Sequence, residues 1–145
     1  MTETEIEISL VRFAGEHALQ IMRTRQTVFT GELGIEASLD LDGLDDQAVH
    51  VLASAAGQPV GTARMLADGH IGRVAVLRSW RRRQIGSQMV LALLEYAGDQ
   101  GIERVFLGAQ CSVADFYRRL GFRVCGEPYF EVGICHLAME RRLSL

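Results

Sequence analysis

Between residues 70 and 108 a β-prone run, a basic turn, an amphipathic helical run and a second β-prone run follow one another without a break, an order that leaves few folds open. The first run, residues 70–77 (HIGRVAVL), is rich in β-branched and apolar side chains. After Arg78 the apolar residues Ile85, Met89, Val90, Leu93, Leu94 and Ala97 recur at helical spacing, and Gly101 offers a C-terminal stop. A strand over 103–108 starts at once. Strand, helix, strand is a βαβ crossover, which predicts that 70–77 and 103–108 lie parallel or nearly so in one sheet.

The flanking segments extend this to a mixed α/β domain. Residues 5–13 alternate polar and apolar positions and predict a strand. Ala18, Ile21, Met22, Val28 and Phe29 then fall at helical spacing, with Gly31 or Gly34 ending that helix. Residues 35–47 are acidic and loop-like, a lid, cap or substrate wall in which Asp40, Asp42, Asp45 and Asp46 either attract a cationic reactant or form a solvated turn. Residues 48–56, 60–66 and 70–77 predict an antiparallel meander, its second turn set by Asp68-Gly69. Ser112 with Asp115 resembles a capping box before a short helix carrying Phe116, Tyr117 and Leu120, and 122–125 and 129–141 read as two more strands. The sum is one domain over residues 1–145, with six or seven strands and helices on both faces.

The chemistry concentrates in Arg81, Arg82, Arg83, Gln84, Ile85, Gly86 and Ser87, where strand gives way to helix. The first turn of a helix has unbonded N–H groups and the positive end of its dipole, and Gly86 lets an anion approach the backbone, so the segment suits a phosphate. A solvated basic turn and a nucleic-acid patch are the alternatives. The second is disfavoured because the run is short, no aromatic stripe accompanies it, and the formal net charge is −3.

This turn, the strand before it and the later Phe116-Tyr117-Arg118-Arg119-Leu120-Gly121-Phe122 together resemble the GCN5-related N-acetyltransferase (GNAT) superfamily, most of all its bacterial ElaA and YjcF types. Further matching pieces are Gly61-Thr62-Ala63-Arg64, Gly108-Ala109-Gln110 and Glu131-Val132-Gly133-Ile134-Cys135-His136, so the likeness spans nearly the whole chain. Two positions depart from it. Gln84 stands at the first Gly of the phosphate turn, and Cys135 stands where the subfamily usually has Pro.

The resemblance implies an N-acetyltransferase using acetyl-CoA and a small-molecule amine, attacked directly in a ternary complex. It implies a strand at 71–77 splayed from the strand at 103–108, often with a bulge, whose free backbone groups near Val74, Ala75 and Val76 bind the pantetheine arm. Residues 81–87 would then hold the pyrophosphate, with Gln110 and Phe116 nearby, and Tyr117 would be the acid for the departing sulfur. No base stands out: Glu32 and His50 lead, with Asp45, Asp46, Glu131, His136 and a water relay behind them. Cys111 as a covalent carrier ranks low, because no base is dedicated to its thiol. A non-catalytic acyl-CoA-binding sensor is the rival. The assembly is open between a monomer and the homodimers frequent in the family.

Cys111, Cys125 and Cys135 match neither a disulfide framework nor a metal site by spacing and are expected as reduced cytoplasmic thiols, with no metal. The acidic start, Met1 to Glu7, is unlike a signal peptide, and no apolar run is long enough to cross a bilayer. All 15 basic residues are Arg.

Overall fold

A computed structural model describes residues 5–143; the acidic start over Met1 to Thr4 lies outside the described residues. The strands form two antiparallel four-stranded groups. The first is β1 (Ile6–Val11), β2 (Val49–Ala55), β3 (Gln58–Met65) and β4 (Ile71–Val76), in that order. The second is built on β8 (Ile134–Arg142), which pairs with β5 (Arg104–Gln110), β6 (Arg123–Val124) and β7 (Tyr129–Glu131).

The crossover helix forms as its periodicity predicts. α3 (Ile85–Asp99) buries Ile85, Met89, Val90, Leu93, Leu94 and Ala97. A Cβ at Gly61 would meet the Met89 side chain at 3.2 Å, so helix and β3 are already in close contact there. Ile102 N–H donates to Ala97 O at 2.9 Å and Gly101 N–H to Gly98 O at 3.1 Å, the paired bonds of a Schellman stop with Gly101 at φ +75. Leu93 is fully buried, and its truncation to Ala would cost about 2–5 kcal/mol.

α3 and α1 (Gly15–Arg25) cover opposite faces of the first sheet. Val49, Val51, Ala53, Ala63 and Met65 share the apolar core with α3. The alternate residues His50 and Arg64, paired across β2 and β3, reach the polar groups beside α1.

Several expectations are corrected. Residues 70–77 and 103–108 do not share one continuous sheet: β4 and β5 meet at a single parallel bridge, His70 with Phe106. Residues 129–141 form two strands, since Val132 (φ 52) and Gly133 (φ 73) close a tight turn, which raises the number of strands to eight. The α1 helix does not simply end at a glycine. It widens into a π-helical stretch, Gln26–Glu32, with Leu33 N–H on Val28 O at 3.0 Å, before Gly34 turns the chain at φ +71. Ser112 caps nothing: β5 runs on to Gln110, a 3-10 turn follows, and α4 (Ala114–Arg119) begins without a side-chain cap while Asp115 pairs with Arg118 at 2.6 Å.

Candidate active site

The joint between the sheets rests on Gly69. It has φ +96, and a Cβ there would collide with the Arg104 carbonyl oxygen. Phe106 N–H donates to Gly69 O at 3.0 Å, and the His70 ring stacks on Phe106 at 4.9 Å. Past this joint the strands part. Thr62 pairs with Ala75 but Arg64 with Gly72, so β4 carries one extra residue, with Arg73 at φ +53. That bulge bends β4 away from β5 and leaves its outer edge without a strand partner beyond the bridge. Between the strands opens a cleft of about 1380 Å³. Single small ligands typically fill about 300–1,000 Å³, so there is space for a long cofactor arm and a second reactant.

One end of the cleft is the basic turn. Arg82 (φ 64) and Gln84 (φ 63) are left-handed, and α3 starts at Ile85 with no side-chain cap. The first N–H of α3 to find a backbone acceptor is that of Gln88, on Gln84 O at 3.0 Å. Among the described residues no acceptor meets the N–H groups from Arg82 to Ser87. Gly86 keeps the turn close to α4: a Cβ there would stand 3.3 Å from the Phe116 ring, which would have to shift to admit it. These groups fit a pyrophosphate, as an anion would satisfy N–H groups that the fold leaves open. The left-handed Gln84 explains why the resembled motif has Gly there: the conformation costs a non-glycine residue about 1–2 kcal/mol.

The expected binding residues Val74, Ala75, Val76, Arg81, Arg82, Gln84, Ile85, Gly86, Ser87, Gln110 and Phe116 all line this cleft, as do Glu32 and Tyr117. Arg83 does not; its guanidinium lies over the Trp80 ring at 4.7 Å. Arg81 is engaged twice, its Nε donating to Val76 O at 3.0 Å and its two terminal nitrogens to Glu32 at 2.6 and 2.9 Å. The Arg81 hydrogen bond holds the Glu32 carboxyl below its usual range.

Tyr117 is buried, with its ring edge-on to Phe116 and Phe122 at 4.9 and 5.7 Å. Burial alone pushes its phenol up to about 12. Tyr129 also lines the cleft, stacking on His136 at 5.5 Å with its hydroxyl in the space a Cβ at Gly108 would need. Glu131 and His136 also reach the cleft. Sequence reasoning missed Tyr129, because the Val132-Gly133 turn that folds β7 onto β8 lacks the usual Asn-Gly signal.

His50 is not brought to the cleft. It is fully buried on the α1 face, its Nε2 on Asp45 O at 3.0 Å, its ring beside Phe13 at 5.3 Å and its Nδ1 without a partner. Burial holds its pKa below the ordinary value. Nor do Asp40, Asp42 and Asp45 form a free acidic loop or a cationic lure, and of the four aspartates Asp46 alone is exposed without an ion-pair partner among the described residues. Arg25 Nε meets Asp40 at 2.9 Å and its NH1 meets Asp45 at 2.7 Å, Arg64 bonds Asp45 at 2.9 Å and also Asp42, and Arg73 meets Asp40 at 2.9 Å. Burial would raise the Asp45 carboxyl, but the Arg25 and Arg64 guanidiniums overcome it and hold it low. Asp40 and Asp45 are thereby structural, clamping the segment that contains α2 (Ala37–Asp40) onto the sheet.

The thiols also differ from expectation. Cys111 and Cys135 form a disulfide, Cα atoms 5.5 Å apart, and Cys125 is free. The register of β5 on β8 pairs Gln110 with His136, which sets the next residue of one strand against the preceding residue of the other. Linear spacing carries no trace of that pairing. A disulfide-bonded Cys111 is no acetyl carrier. Among the described residues no cluster suits a metal ion, and no helix is long and apolar enough to cross a membrane.

The fold recurs in known proteins. The acetyltransferase (GNAT) domain family matches residues 34–143. A Bacillus subtilis protein named as an acetyltransferase is 36% identical over 124 residues, covering 81% of this chain and 84% of that protein. The B. subtilis N-acetyltransferase YjcF is 34% identical over 121 residues, covering 81% and 86%. The crystal structure of Escherichia coli ElaA superposes with a TM-score of 0.85 at 29% identity, over 94% of this chain and 99% of that one. Because the family's model spans residues 34–143 and relatives more than 30% identical cover four-fifths of the chain, the chain belongs to the GNAT family of acyl-CoA-dependent acetyltransferases.

Proposed function

We propose that the protein transfers an acetyl group from acetyl-CoA to the primary amine of a small molecule, by direct attack within the cleft. The observation that carries this is the continuity of one cavity from the open N–H groups at the start of α3, along the unpaired edge of β4, to the Tyr117 hydroxyl. Acetyl-CoA, when bound, supplies an activated thioester. The Arg82 to Ser87 N–H groups hold its pyrophosphate, and β4 near Val74 and Val76 offers backbone groups to its extended arm.

Tyr117 acts on the leaving sulfur. A phenol near 12 stays protonated at every working pH and lies above a thiol near 8.5, so full proton delivery is uphill. Its role is hydrogen-bond donation to the charge that develops there, in a dry pocket where such a donor is worth about 10²–10³ in rate. Glu32 is a poor base with both oxygens on Arg81, and serves instead to hold that arginine against the turn. The ammonium proton therefore leaves through water. An alkylamine with a pKa near 10 is only about one part in 10³ neutral at pH 7, so the rate should climb about tenfold per pH unit below that value.

A thiol-release assay with acetyl-CoA over a panel of primary amines tests this. Turnover with that pH slope, and a loss of about 10²-fold in kcat for Tyr117→Phe at unchanged coenzyme A affinity, is expected. No turnover with any amine, or an unaffected Tyr117→Phe enzyme, refutes the catalytic reading.

A further inference from the structure

The cleft is lined unevenly: Phe29, Leu33 and Leu39 come from the segment after α1, and Phe130, Val132 and Ile134 from the β7–β8 hairpin. Leu33 is 45% exposed, Leu39 58%, Phe130 74% and Val132 64%. Isolated exposed apolar side chains are ordinary, but four lining one cleft mark a contact surface. Of the other carboxylates that line the cleft, Glu32 is on Arg81 and Asp40 is on Arg25 and Arg73. Glu131, next to Phe130 on β7, has no ion-pair partner among the described residues.

We infer that the acceptor is a monoamine with an apolar body, of the arylalkyl or longer alkyl class. The body sits between Leu33 and Leu39 on one side and Phe130 and Val132 on the other, and the nitrogen is drawn in by Glu131. This rests on the acetyl-transfer reading above. A single open carboxylate matches one cationic nitrogen and leaves a polyamine's further charges unanswered. Hydroxyl-rich amino sugars fit worse, because apolar walls would strip water from hydroxyls and return no hydrogen bonds. Each buried methylene is worth about fourfold in binding, so kcat/KM should rise about fourfold per carbon along a short alkylamine series.

The test is thiol release from acetyl-CoA with propylamine to hexylamine, phenethylamine, glucosamine and spermidine, repeated with Phe130→Ser and Glu131→Gln. The expected result is the fourfold ladder, phenethylamine above glucosamine and spermidine, and a KM for phenethylamine raised about tenfold by Phe130→Ser. The KM for acetyl-CoA and the melting temperature should stay put, since the ring is mostly exposed. Glu131→Gln should raise KM for every amine. Glucosamine or spermidine as the best substrate overturns the inference and leaves acetyl transfer standing. So does an unchanged phenethylamine KM in Phe130→Ser, including the case where size exclusion shows the variant losing a dimer, which assigns the patch to a second copy. No turnover with any amine overturns both, while coenzyme A binding by calorimetry separates that outcome from a misfolded enzyme.

Discussion

Replacing Arg73 by Ala and by Gly separates two contributions that the structure superimposes at the β4 bulge. Arg73 has φ +53, a conformation that costs a residue with a Cβ about 1–2 kcal/mol. Its guanidinium meets Asp40 at 2.9 Å and Asp42 at 3.3 Å, and donates to Asp40 O at 3.1 Å. Those bonds are partly exposed on the Arg73 side, so their loss should cost about 1–3 kcal/mol. Arg73→Ala loses the bonds and keeps the backbone penalty. Arg73→Gly loses the bonds and removes the penalty. The Gly protein should therefore be about 1 kcal/mol more stable than the Ala protein in urea melts, although an ordinary strand favours Ala over Gly by about 0.5–1 kcal/mol. The bulge directs the β4 edge into the cleft, so coenzyme A affinity by calorimetry should drop about fivefold in Arg73→Ala and stay within about twofold of the parent in Arg73→Gly. Ala at least as stable as Gly, with equal coenzyme A affinities, would refute the argument that the bulge needs a left-handed residue at position 73.

Gln84→Gly should relieve the left-handed strain at the phosphate turn and, after the greater unfolded-state entropy of glycine, leave stability unchanged or raised by up to about 1 kcal/mol in thermal melts; a loss of more than that would mean the Gln84 side chain makes a contact the structure does not contain. Thiol titration of the unfolded, unreduced chain should give one thiol, Cys125, and three after reduction. The bridge closes a loop of 24 residues, so reduction should cost about 3 kcal/mol by chain-entropy reasoning, read as a lower urea midpoint. His50 is neutral when folded, because burial holds its pKa down, whereas the unfolded chain takes up a proton near 6.5. The unfolded state then binds more protons, so stability is full above pH 6.5 and falls below it, by up to about 1.4 kcal/mol per pH unit for this group. Urea melts from pH 7.5 to 5 should show that fall in the parent and less of it in His50→Gln; parallel profiles would reject the assignment.

What could be seen in advance was local. The period of Ile85, Met89, Val90, Leu93, Leu94 and Ala97 specifies α3 because one face must enter the core, and Gly101 and Asp68-Gly69 specify a stop and a turn because few other residues adopt those conformations. The basic turn that opens α3 was legible as a turn for the same reason, and Tyr117, proposed from the family resemblance, lines the same cleft. What stayed hidden was the outcome of long-range pairing. Arg25, Arg64 and Arg73 lie far apart in the chain and converge on Asp40, Asp42 and Asp45 only once β2, β3 and β4 are aligned. The Cys111–Cys135 bond follows from the β5–β8 register, and burial of His50 from a side-chain alternation that a fully buried strand does not advertise. The parting of β4 from β5 and the bulge in β4 came from the family resemblance alone, because one extra residue in a strand leaves no mark in composition.

A crystal structure with coenzyme A bound tests the central claim most directly. The account predicts the pyrophosphate on the N–H groups between Arg82 and Ser87, the pantetheine arm along the outer edge of β4, and the sulfur within hydrogen-bond distance of the Tyr117 hydroxyl. Coenzyme A seated outside the β4–β5 cleft, or inside it with its sulfur remote from Tyr117, would contradict it.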